Sequence, residues 1–143
     1  MRAAEAIVRH LAQSTTDTYA IAGARVYWNT MPKNPTFPLV RVSKTGFRPL
    51  IQGFQFARDP GITDIQVVCI AKTQEEAADL ADAVTSDLSS YFDEWTELPL
   101  TSPATAGALT AKVEPTGEQD ILDDDMVEYG VAGEARTFSV HTR

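Results

Sequence analysis

The side chains most able to do chemistry are few and scattered: two histidines, His10 and His141, and one cysteine, Cys69, in 143 residues. A Cys–His dyad needs an accessible thiol beside a base. Cys69 instead sits among Ile65, Val67 and Val68, a setting that predicts a buried, inert thiol. His10 falls on the polar border of a helical pattern and reads as a surface residue. His141, near the other terminus, reads as a surface or sheet-edge residue with no nucleophile paired to it in sequence. One thiol makes no internal disulfide, and no Cys/His cluster has zinc-site spacing. No glycine supports a phosphate loop or a dinucleotide fingerprint.

The carboxylates are more numerous. Asp123-Asp124-Asp125 suggests calcium, and the EF-hand geometry tests it: oxygen ligands at alternate positions, Gly at the sixth, Glu at the twelfth. Counting from Asp120 puts Leu122 at a ligand position, and counting from Asp123 puts Glu128 where glycine is required. The spacing fails both ways, and a solvated acidic loop is the plainer reading. No acid/base pair is singled out by a motif. The residues predict no enzyme activity, no metal and no cofactor.

The bulk properties agree with a binding or structural role. A chain of this length, 43% hydrophobic, is one domain's worth of material. Folding it buries roughly 68–70% of the surface the unfolded chain exposes, enough for a core without disulfides or metal. The formal net charge of −8 and pI of about 4.6 argue against phosphate-neutralising nucleic-acid binding and against anionic membranes. The first residues lack the apolar core of a signal peptide, and no apolar run approaches the ~20 residues of a membrane span, so a soluble protein made in a cytoplasm is expected.

These residues need elements to position them. Ala4, Ile7, Val8 and Leu11 recur at helical spacing, predicting a short amphipathic helix that Ser14-Thr15-Thr16-Asp17 ends. Gly23 marks a turn before a short strand, Arg25-Val26-Tyr27-Trp28. Three prolines between Met31 and Pro38 keep the chain extended up to Leu39-Val40-Arg41-Val42-Ser43, an alternating strand. Thr63 to Ala71 is apolar on both faces, as in a covered central strand. Thr73-Gln74-Glu75-Glu76 is a capping box, and Ala77, Leu80, Ala81, Val84, Leu88 and Tyr91 trace the stripe of the helix it starts. Leu109, Ala111 and Val113 alternate as a strand, and Arg136 to Thr142 closes the chain as another, with Phe138 and Val140 inward. The order predicts an α+β domain: two helices on one face of a mainly antiparallel, mixed sheet, with long loops.

Two of those loops stand out within the single domain, 1–143. Residues 45–61 carry Phe47, Arg48, Leu50, Phe54, Phe56 and Arg58. Three phenylalanines are unusual in a solvated loop, so this is either a twisted hairpin arm over the domain's own core or a surface that packs on a neighbour. Residues 115–134 carry Glu118, Asp120, Asp123, Asp124, Asp125 and Glu128, an acidic loop punctuated by Gly and Pro.

The chain resembles the tail terminator, or tail completion, proteins of long-tailed bacteriophages and related gene-transfer particles. The resemblance rests on an ordered pattern. A short N-terminal helix leads to Gly23-Ala24-Arg25-Val26-Tyr27, then Met31-Pro32 and Phe37-Pro38-Leu39-Val40-Arg41-Val42-Ser43. After the long loop follow Asp64-Ile65-Gln66-Val67-Val68-Cys69-Ile70-Ala71 and a helix opening Thr73-Gln74-Glu75-Glu76-Ala77. It spans residues 1 to about 91 and the closing strand; 92–134 carries no family signature. The resemblance implies a structural virion protein that assembles as a homohexameric ring on the tail tube protein. Such a ring stops tube polymerisation and offers a surface to a head-completion or stopper protein. Genomic DNA would pass through without specific binding, and the acidic loop could face that channel, while the aromatic loop could form a subunit or tube interface. Another neck or head-tail joining subunit of the same particle, and a small soluble α+β enzyme or binding module, are the competing readings.

Overall fold

The computed structural model describes residues 2–49, 61–92, 94–99, 108–121 and 130–142. Helix α1, Arg2–Leu11, forms where the apolar spacing places it. It buries Ala3, Ala4, Ala6, Ile7 and Leu11 and ties its outer face with a Glu5–Arg9 ion pair at 3.0 Å, one turn apart. The chain does not then run irregularly to Gly23. Asp17–Ala22 folds as a second helix, α2, capped by the Thr16 hydroxyl, which accepts from the Tyr19 amide at 3.2 Å. Six residues are too few to show a helical period, so the cap was its one sequence signal. Gly23 ends α2 at φ 61°, in the left-handed region, donating its amide to Tyr19 O at 2.8 Å.

The remaining elements are β1 (Val26–Trp28), β2 (Leu39–Pro49), β3 (Gly61–Ala71), α3 (Gln74–Leu88) with a 3₁₀ turn at Ser89–Tyr91, β4 (Thr96–Pro99), β5 (Ala108–Ile121) and β6 (Ala132–Thr142). They make a six-stranded sheet in the order β1-β2-β3-β6-β5-β4, antiparallel except for β1 beside β2. The α+β architecture expected from the pattern is the one found, with α2 as an additional helix.

The two regions expected as long loops are in good part strand. β2 runs to Pro49 and β3 starts at Gly61, so 45–49 belongs to a ladder, with a bulge between Lys44 and Gly46. The acidic stretch likewise carries β5 as far as Ile121, paired with β6 past a bulge at Pro115/Gly117. Glycine, proline and charge suggested loop, but edge positions tolerate all three when the ladder partner is an inner strand. β4 also had no sequence signal; four residues ending in Pro99 show too little alternation.

The helices cover one face of the sheet. Val40, Val42, Ile65, Val67, Cys69, Phe138, Val140, Val113 and Ala111 point from the strands into a cluster with Ile7, Leu11, Leu80, Ala81, Val84 and Leu88. On the opposite face Leu39, Val68, Ile70, Val131 and Ala135 form a smaller cluster, with Tyr27 and Phe37 packed on it. β3 therefore has apolar contacts on both sides, as its continuous hydrophobic run predicts.

Candidate functional site

Cys69, His10 and His141 each make contacts within the fold. Cys69 is buried in the main core, and burial pushes its thiol up to about 12, against relief from Arg136 and a further push from Glu134. His10 departs from the surface reading. Its Nε2 lies 2.9 Å from Asp87 O, and its ring meets Tyr91 edge-on at 5.2 Å, joining α1 to the end of α3. His141 sits on the inner strand β6 with Nε2 3.3 Å from Glu114 on β5. Among the described residues no cluster of His, Cys, Asp or Glu is placed to hold a metal ion, and no helix is long and apolar enough to cross a membrane.

The aromatic and basic residues 47–48 lie on the β2 limb that extends past β1. Phe47 is 42% exposed. Its ring lies across Gly61 on β3, where an added Cβ would come within 2.5 Å of it, and the Lys44 ammonium stands 5.4 Å from the ring centroid. Glycine at 61 is what leaves room for the ring at this position. Arg48 points to the other face and pairs with Asp64 at 3.4 Å while staying 63% exposed. Asp64 also accepts from the Ser139 hydroxyl at 2.7 Å. Leu50, Phe54, Phe56 and Arg58 lie outside the described residues.

The acidic residues Glu118 and Asp120 lie on β5, at the other edge of the sheet. Both face the helices. Asp120 accepts from the Gln74 side chain at 3.3 Å, near the start of α3. Glu118 stands 3.6 Å from the Arg136 guanidinium. Arg136 is the hub of this edge: it reaches Asp82 at 2.6 Å, Glu134 at 2.9 Å and the Thr85 hydroxyl at 2.8 Å. Burial disfavours its charge, but the hydrogen bonds it donates to Asp82 and Glu134 outweigh that and leave its pKa raised. A groove of about 220 Å³ opens beside it, lined by Thr85, Pro115, Gly117, Glu118, Arg136 and Phe138. Asp123, Asp124, Asp125 and Glu128 lie outside the described residues.

The aromatic–basic group and the acidic group are thus not brought together. They lie toward opposite edges of one sheet, on β2 and β5, with two strands, β3 and β6, between them. The Arg136 hub was not singled out from the sequence. Its signal was the alternation itself: with Phe138 and Val140 inward, Arg136 and Glu134 must point inward too, and an inward charge requires a partner.

No family model matches the sequence, and no curated protein matches it. Among solved structures, the fold is similar to a chain from the virion of a native gene transfer agent particle. The TM-score is 0.62 at 16% sequence identity, over 96% of this chain and 92% of that one. At that identity the likeness is one of fold, and it runs nearly end to end in both chains.

Proposed function

We propose that this chain is a non-enzymatic structural subunit of a phage-like particle, made in a host cytoplasm and incorporated at the tail–neck region of the virion. The observation that carries the reading is the fold shared along almost the whole chain with a component of a gene transfer agent virion. The ordered sequence pattern over residues 1 to about 91 and the closing strand supports the finer assignment, a tail terminator that caps the tube protein as a homohexamer and presents a docking surface to a head-completion protein. Its mechanism is surface matching. A cyclic ring needs two different patches per subunit, since each contact is head-to-tail. Apolar burial contributes roughly 25 cal/mol per Å² before association costs are subtracted.

The acidic β5–β6 hairpin fits a ring through which DNA passes unretained. Glu118 already has Arg136 as a counterion, so the repulsive charge falls to Asp123, Asp124, Asp125 and Glu128 at the channel rim.

Electron microscopy of particles made without the gene tests the assignment. Tubes of uncontrolled, excessive length are expected. Tails of fixed length lacking heads would move the protein to the head-completion side, and normal, joined particles would overturn a structural role at this junction.

A further inference from the structure

Both edges of the sheet are only partly covered, and by different elements. Among the described strands, β1 pairs with β2 over Val40–Val42 alone, leaving the limb from Ser43 to Pro49 without an outer partner. At the other edge, β4 pairs with β5 over Ala108–Ala111, and an isolated bridge joins Phe92 to Val113; the limb from Glu114 to Ile121 has no outer strand among them. The register across β3 and β6 sets these limbs in relation. Val40 is level with Asp120 through Cys69 and Glu134, while Pro49 is level with Ala111 through Gly61 and Thr142. The covers therefore lie at opposite ends of opposite edges. Brought side by side with their strands in line, β1 of one copy stands at the height of the bare Glu118–Asp120 of the next, and β4 and Phe92 of the next stand at the height of Phe47–Pro49. The covers thus pass one another, and Ser43–Gly46 and Glu114–Gly117 are bare at the same height.

The bare limbs also differ in sign. The β2 limb carries Lys44 and Arg48 and no acid; the β5 limb carries Glu114, Glu118 and Asp120 and no base. Gly46 is level with Glu114 through Asp64 and Ser139, and Lys44 and Arg48 stand on either side of that level, Lys44 level with Pro115 and Arg48 level with Lys112, which lies beside the covered end of β5. Arg48 and Glu114 are each 63% exposed and lie on the same face of the sheet. Like edges repel and unlike edges attract, which disfavours two-fold pairing and favours the head-to-tail contact a ring requires. The bulge on each limb and Pro115 keep either edge from adding strands indiscriminately.

We propose that these edges are the two halves of one contact between copies of this chain, the basic β2 limb of one against the acidic β5 limb of the next. The assignment deepens the ring reading and rests on it: the partner at both edges is a second copy. Exposed charges at such a contact are screened by salt, so its strength falls as ionic strength rises.

The test is charge reversal with recombination. Sedimentation velocity on the full chain at millimolar concentration and low salt is expected to show assemblies that dissociate in high salt. K44E/R48E and E114K/D120K, each alone, are expected to associate at least tenfold more weakly. Their equimolar mixture is expected to recover assembly in alternation, because each reversed edge then meets a reversed partner. Should a reversal impair folding in a thermal melt, R48Q and E114Q probe the same contact with a smaller change; each must weaken association and flatten its salt dependence. A wild-type chain that stays monomeric, variants that assemble like wild type, or a mixture that recovers nothing overturns the assignment. The particle assay separates this from the functional reading. Overlong tails on gene deletion, with edge variants that still complement, would retain a tail-end role and eliminate the edge contact. Edge-dependent assembly with particles unaffected by deletion would do the reverse.

Discussion

Asp87, near the end of α3, holds the start of α2: its two carboxylate oxygens accept from the Asp17 amide at 2.9 Å and the Thr18 amide at 2.8 Å. The buried Thr18 hydroxyl bonds to the same carboxylate, and the Asp87 carbonyl meets His10. One residue thus ties α1 and α2 to α3, supplying from a distance the anion that a helix N-terminus favours.

Asp87→Ala leaves two amides and a buried hydroxyl without their acceptor. A loss of about 2 kcal/mol is expected from the cap and unsatisfied-donor costs together. Chemical denaturation should register it as a lower midpoint at unchanged slope. Asp87→Asn, which keeps one oxygen acceptor, should recover about half. A midpoint equal to wild type for Asp87→Ala would show that α2 holds its place without this residue.

Arg136 is the only charge balancing the Glu134 carboxylate, whose side chain is 13% exposed, among the ion pairs of the described residues. Arg136→Met should therefore cost about 2–3 kcal/mol, below the full buried-pair penalty because the site keeps some solvent. Asp82→Ala should cost less than about 1 kcal/mol, since that carboxylate is 68% exposed. Equal losses for the two would contradict the ordering by burial. Denaturant titration of both variants decides it.

Gly61→Ala drives a methyl within 2.5 Å of the Phe47 ring and 2.9 Å of Arg48 O. The ring can swing away but the carbonyl belongs to the ladder, so a loss of about 1–3 kcal/mol is expected. Removing the ring relieves part of the clash, so Gly61→Ala should cost less in a Phe47→Ala background. A double-mutant cycle with strictly additive losses would show that the two residues do not touch in solution.

Cys69 should be unreactive toward a disulfide reagent in the folded chain at pH 8, and its labelling rate should follow global unfolding. Its folded pKa, about 12, lies above the ordinary 9.0, so the native state keeps its proton where the unfolded chain has released it. Stability is therefore full below pH 9 and falls as pH rises toward 12, by at most about 1.4 kcal/mol per pH unit from this group. Cys69→Ser or Cys69→Ala should flatten that alkaline limb in pH-dependent melts. An unchanged limb would assign the alkaline loss to other groups.

The sequence by itself determined the elements whose side chains repeat long enough to show a period. The stripes of α1 and α3, the two-sided apolar run of β3 and the inward pair Phe138 and Val140 all lie where spacing puts them, because burying a helix or strand face requires that spacing. The Thr73 cap was equally legible: its hydroxyl accepts from the Glu76 amide at 3.2 Å. Only the tertiary structure decided that Pro49 and Pro115 lie within ladders and that six residues after Thr16 coil into α2. Their stabilising partners, Gly61, Phe138 and Asp87, are distant in sequence. The same holds for the functional surfaces. Lys44 and Glu114 are recognisable as charges anywhere, but strand order alone sets them on opposite margins of one sheet, and no local pattern encodes which strand becomes an edge.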